Sequence, residues 1–209
     1  MLGLFRRRPP IRDIAGLCDF IDRNAAFMVQ KGIYEYSRAR AGHYAKVMFK
    51  ESAFQQAVEV SRWRAFPLGL AMVAELIDGI LRPHVDDRRM AVHAGLMSIV
   101  LEVFDRYPVP AALGPDAWKT ARAELMQHLE RINLHAPKFA KDVPEPFVKS
   151  YFSLLPIDEK VRASEFPTIR NYLRITSCNV HDELTKRVDA PAMAALLATL
   201  TPQDATTVP

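Results

Sequence analysis

Glu75 and Asp78 stand three residues apart inside an apolar run, Phe66 to Leu81 (FPLGLAMVAELIDGIL). Glu102 and Asp105 repeat that spacing at the end of a second run, Met90 to Phe104 (MAVHAGLMSIVLEVF). Residues three apart share one helix face. Carboxylates on facing helices ligate di-metal centres in bundles when two Glu-x-x-His motifs add imidazole. This chain has Glu-x-x-Asp twice and no Glu-x-x-His. At about 100° per residue, Glu75 and Asp78 share a stripe with Leu68, Ala71, Gly79 and Arg82, and Glu102 and Asp105 share theirs with Ala91, Gly95, Ser98 and Arg106. Asp78–Arg82 and Glu102–Arg106 are acid-before-base pairs four residues apart, the favourable order on a helix. The expectation is therefore a thin solvated rim on two mostly buried helices, its small residues permitting close helix approach, with no metal and no cofactor assigned.

His93 lies about 180° from Glu102 on the same wheel, beside Met97, Val100 and Phe104, and is expected to face the core. A buried imidazole needs a hydrogen-bond partner, so the reading is a satisfied core histidine or a polar anchor in an apolar pocket. Cys178 and His181 sit one helical turn apart in Cys-Asn-Val-His. That pairing can activate a nucleophile or supply half of a zinc site. No second Cys-x-x-His completes such a site, and incidental helical spacing is the expectation. Gly-x-Ser-x-Gly, His-Glu-x-x-His, phosphate-loop and dinucleotide fingerprints are all missing, which weakens the standard enzyme classes.

Charge is unevenly spread. Residues 1–64 carry 12 Lys/Arg against 6 Asp/Glu, whereas 65–209 carry 16 against 18, within a total of +4. Arg6, Arg7, Arg8, Arg12, Arg38, Arg40, Arg62 and Arg64, with Lys46 and Lys50, make the front third an anionic-partner surface or a solvated basic face. Tyr34, Tyr36, Tyr44 and Trp63 interleave with them, so base stacking or a lipid headgroup interface is conceivable. No compact helix-turn-helix fits 11–50, and nucleic acid ranks below an acidic protein or peripheral contact with an anionic membrane. Leu2, Leu4 and Phe5 ahead of three arginines form only a weak interfacial anchor.

The elements that must position these groups are helical. Ile14, Leu17, Ile21, Ala25 and Met28 make one apolar stripe, expected to stop near Gly32. Tyr34 to Phe49 follows, with Tyr34, Arg38, Ala41, Tyr44 and Met48 in line, and then Ala53 to Ala65. Pro67 either starts a fourth helix or kinks a continuous one. The fifth helix spans about 87–106, capped by Asp86 or Asp87 and closed by Tyr107-Pro108-Val109-Pro110. Ala117 to Leu134 is the sixth, with Asp116 at its N-cap. Five prolines break 135–167 into a packed aromatic arm around a helix at Phe147 to Leu155. Thr168 to Val188 is amphipathic through Ile169, Leu173, Thr176, Val180 and Leu184, and Ala190 to Leu200 closes the fold.

The expected architecture is an all-α, single-domain bundle of about seven or eight helices with a central antiparallel hairpin. Residues 1–10 form a basic N-terminal segment, 11–200 the helical domain and 201–209 a frayed tail. Cys18 and Cys178, 160 positions apart, are expected as free thiols, and the N-terminus lacks the order of a secretory signal, so a cytoplasmic protein is expected. Met28, Met48, Met72, Met90, Met97, Met126 and Met193 give the apolar faces adaptability. The leading function is a non-catalytic helical accessory or regulatory protein binding a protein partner or an apolar small molecule, with a homodimer compatible. The alternatives are a hydrolase of an ester or other apolar substrate, using some of His93, Glu75, Glu102, Cys178 and His181, and a nucleic-acid-binding regulator.

Overall fold

Asp13 opens the fold: its side chain accepts the Gly16 amide at 2.7 Å and caps the first helix, α1 (Ile14–Ala25). In the computed structural model, which describes residues 9–85 and 87–200, α1 is followed by a wide-turn π segment (Ala26–Lys31) and α2 (Gly32–Ala41). The remaining helices are α3 (Ala45–Met48), α4 (Ser52–Leu81), α5 (Arg89–Asp105), α6 (Pro115–Ile132), α7 (Val148–Ser153), α8 (Glu159–Arg162), α9 (Phe166–Thr185) and α10 (Ala190–Ala198). The protein is an all-α bundle. Among the described residues there is no strand, only a single bridge between Ile11 and Val188.

The expected stop at Gly32 is overturned. The chain stays helical to Ala41 and breaks at Gly42, whose φ of +52° suits glycine. Gly32 serves space instead: a Cβ there would lie 2.7 Å from the hydroxyls of both Tyr151 and Tyr172. Those hydroxyls donate to the carbonyls of Val29 (3.2 Å) and Met28 (3.1 Å). Two tyrosines from α7 and α9 thus hold the π turn from behind. Gly69 of α4 presses on it from the other side, where a Cβ would lie 2.8 Å from the Ala25 carbonyl oxygen.

The third and fourth expected helices are one 30-residue helix with Pro67 inside it. Proline's missing N–H costs one intrahelical bond, and burial of Phe66, Leu70, Met72, Leu76 and Ile77 outweighs that loss. α4 packs on α1, the π segment, α5, α6, α9 and α10, and so forms the centre of the core. Asp116 does not cap α6: Gly114 does, with Pro115 as the first helical residue. Asp87 does not cap α5, whose N-cap is Arg88 with no side-chain bond, and Asp86 lies outside the described residues.

Within the 135–167 arm, Phe147 and Tyr151 are buried and Phe152 packs edge-on to Phe166. Phe139, in the part of this arm expected to pack throughout, is exposed instead. Both cysteines are free. No helix of the described residues is long and apolar enough to cross a membrane.

Candidate functional site

The carboxylates of α4 are not on a solvated rim. Glu75 is 6% and Asp78 9% exposed. The physical reason is the chain that follows α6, which folds back over this face: Lys138 pairs with Glu75 at 2.7 Å, and His135 lies 3.7 Å from the same oxygen. Asp78 is ion-paired to Arg82. The same guanidinium donates to the carbonyls of Ile132 (2.9 Å) and His135, while Arg89 donates to Asn133 O at 2.8 Å. Two arginines, one at the C-cap of α4 and one at the start of α5, therefore cap the C-terminus of α6, where carbonyls point outward and the dipole favours cations. The arrangement is a buried clamp tying α4, α5 and α6 to the 132–138 strap.

His93 joins this clamp from α5. It is 7% exposed, as its wheel position requires, and it feels the charges of Asp78, Arg82 and Arg89. It is not the satisfied core histidine expected, because its Nδ1 has no hydrogen-bond partner among the described residues. Arg82 Nε, Arg89 Nε and Asn133 Oδ1 share that condition, concentrating unpaired polar atoms around one junction. Burial pushes the His93 imidazole below its ordinary value, with the Arg82 and Arg89 charges acting the same way and Asp78 opposing them. Burial raises the Asp78 carboxyl, against the lowering effect of Arg82.

The sign for stability follows from linkage. Below about pH 6.5 the unfolded chain protonates this histidine while the folded one resists, so stability falls as pH falls. Asp78 acts oppositely at lower pH, because its folded form takes up a proton first. His128, also lowered by burial, adds to the histidine trend. His93→Gln is expected to flatten the decline in thermal midpoint between pH 7.5 and 5.5, as measured by circular dichroism melts; a slope equal to wild type contradicts the assignment.

The other candidates are not brought to this junction. Glu102 and Asp105 are exposed: Glu102 pairs with Arg106 at 3.2 Å, and Asp105 receives a bidentate pair from Arg122 at 2.8 Å on each arm. Exposed pairs of this kind contribute little. Cys178 is exposed on α9 and His181 is half-buried. No hydrogen bond joins any two of the seven candidates among the described residues, and no cluster of three metal-ligating side chains occurs there.

Of the basic residues, Arg6, Arg7 and Arg8 lie outside the described part. Arg12 and Arg64 are exposed, Arg40 pairs with Glu165 at 2.9 Å and Arg62 with Glu59 at 2.6 Å. Arg38 is exposed on α2. It ends a stripe that the helical periodicity alone did not single out: Phe27, Lys31, Tyr34 and Arg38 follow one another at spacings of four, three and four. Phe27 is 46% and Tyr34 41% exposed, and the Lys31 ammonium sits 5.1 Å over the Phe27 ring. Phe27, Lys31 and Tyr34 line one depression of about 500 Å³ with Gln30, Glu35 and Arg62. That depression shares Phe27 with a smaller one against α9 and Glu35 with a third of about 630 Å³ at the Gly42 elbow, where Arg38, His43 and Lys46 stand. The three depressions adjoin through these shared residues and together define a tract along α1, the π turn and α2.

An all-α bundle bearing an exposed aromatic–basic tract is the class that the fold defines. Compared with models of known families, with curated proteins and with solved structures, the chain matches none.

Proposed function

We propose that the protein is a non-catalytic helical accessory or regulatory protein and that its ligand is a protein partner held on the α1–α2 tract. The observation that carries this reading is the exposed Phe27–Lys31–Tyr34–Arg38 stripe, which runs into α2 from a π turn held by Tyr151 and Tyr172. Exposed aromatics interleaved with cations are costly to leave in water and are enriched where proteins bind one another. Their backbone is held in place, so little ordering opposes binding. π turns are frequent at functional sites. The buried carboxylates, by contrast, are consumed in tying helices together.

The test is site-specific photocrosslinking in the native host, with benzoylphenylalanine placed at position 34 or, as a control, at Met126 on the exposed face of α6. A discrete heterologous protein adduct from position 34, absent at 126, is expected. No protein adduct at 34, or the same adducts at both positions, refutes the reading.

A further inference from the structure

The tract has properties that select its occupant. Its stripe runs over 12 residues of nearly continuous helix, whose 11 steps at about 1.5 Å each give roughly 16 Å. Spacings of four and three are those by which one helix packs along another. Nothing on the tract offers a free strand edge, since its backbone is bonded within helices, so an extended peptide would leave its own amides without protein partners. A helix brings its backbone bonds with it.

Charge selects further. Lys31, Arg38 and Lys46 are exposed along the tract, without an ion-pair partner among the described residues, and the acids lining it are Glu35 and, in the smaller depression, Glu183. The Arg62 Nε in the central depression is buried and unbonded among the described residues. The far side of α2 is already occupied, because Tyr36 and Arg40 both bind Glu165 of the arm. A second copy of this chain is a poor fit: Glu102, Asp105 and Asp182 are each paired with a neighbouring arginine or lysine, and the α6 acids Asp116, Glu124 and Glu130 are interspersed with Lys119, Arg122 and Arg131.

Resting on the partner reading above, we infer that the α1–α2 tract binds an acidic amphipathic helix of the partner, its apolar side chains meeting Phe27 and Tyr34 and its carboxylates meeting Lys31 and Arg38. The probe is a stapled, fluorescein-labelled peptide of about fifteen residues, long enough to span the stripe, with leucine at helical spacing and glutamate elsewhere. Controls are the same residues permuted to destroy the stripe, and vesicles of phosphatidylcholine and phosphatidylserine. Anisotropy titration of the full chain is expected to show saturable binding that weakens with salt. Binding should fall at least about tenfold with the permuted peptide and in Lys31→Glu/Arg38→Glu, a change equal to about 1.4 kcal/mol. Both side chains are exposed, so the variant's melting temperature serves as the folding control.

Equal affinity of variant and wild type overturns the inference, as does absence of saturable binding. Binding to vesicles but not to peptide, or a homodimer abolished by the charge reversal, overturns it as well. If position 34 crosslinks to a protein whose captured segment is neither acidic nor helical, the acidic-helix inference fails and the partner reading survives. If position 34 captures no protein, the partner reading fails with it.

Discussion

Gly95→Ala is expected to lower the thermal midpoint by roughly 6–12 °C, the equivalent of about 3 kcal/mol for a domain of this size. A Cβ at Gly95 would lie 2.9 Å from the carbonyl carbon of Leu197 and closer still to its oxygen. The obstacle is backbone, so no rotamer change relieves it. α10 must move off α5, and Met193, Ala194 and Leu197 would lose their burial. The matched control is Gly79→Ala. Gly79 lies in α4, and apart from its chain neighbours and its own helix backbone no atom of the described residues comes within 4 Å of the place a Cβ would take. Alanine is preferred there by about 0.5–1 kcal/mol. Opposite signs for the two substitutions in differential scanning calorimetry are expected. A Gly95→Ala protein as stable as wild type would show that α10 does not rest on Gly95.

Arg82→Met is expected to cost about 3–5 kcal/mol, because it leaves the buried Asp78 without its cation. It also removes the donors that close α6 at Ile132 and His135. The double variant Asp78→Leu/Arg82→Met should recover a large part of the loss, since replacing both partners of a buried pair by apolar groups is often nearly neutral. Recovery should stop short of wild type, by roughly the worth of the lost caps, about 1 kcal/mol. Chemical denaturation of these two variants and of Asp78→Leu reads the cycle. Additive losses, with no recovery in the double variant, contradict the clamp.

How far the sequence could be read differs between these features, for physical reasons. The α9 stripe of Ile169, Leu173, Thr176, Val180 and Leu184 was readable because a single helix face against one core is a local pattern, and all five residues are buried. The orientation of His93 was readable for the same reason. The wheel also placed Glu75, Asp78 and Arg82 on one stripe, but a wheel gives direction and not what covers it. Lys138 and the α6 carbonyls arrive from 50 to 63 positions away, along a proline-broken strap whose path has no periodic signature.

The π turn was unreadable from its own residues. It depends on Tyr151 and Tyr172, more than a hundred positions downstream, and on the absence of a side chain at Gly32. Gly32 looked like a terminator, and ending the first helix there separated Phe27 and Lys31 from Tyr34 and Arg38. The four-three-four spacing that marks the tract was present in the chain, split across an assumed boundary.

The central claim is that this tract is a protein-binding face, and the most direct measurement is the yield of protein adducts from benzoylphenylalanine at position 34 in the native host, compared with and without Lys31→Glu/Arg38→Glu. A discrete adduct that is lost on charge reversal, in protein whose melting temperature is unchanged, is the predicted result. No adduct in either background, or an adduct indifferent to the reversal, would contradict it.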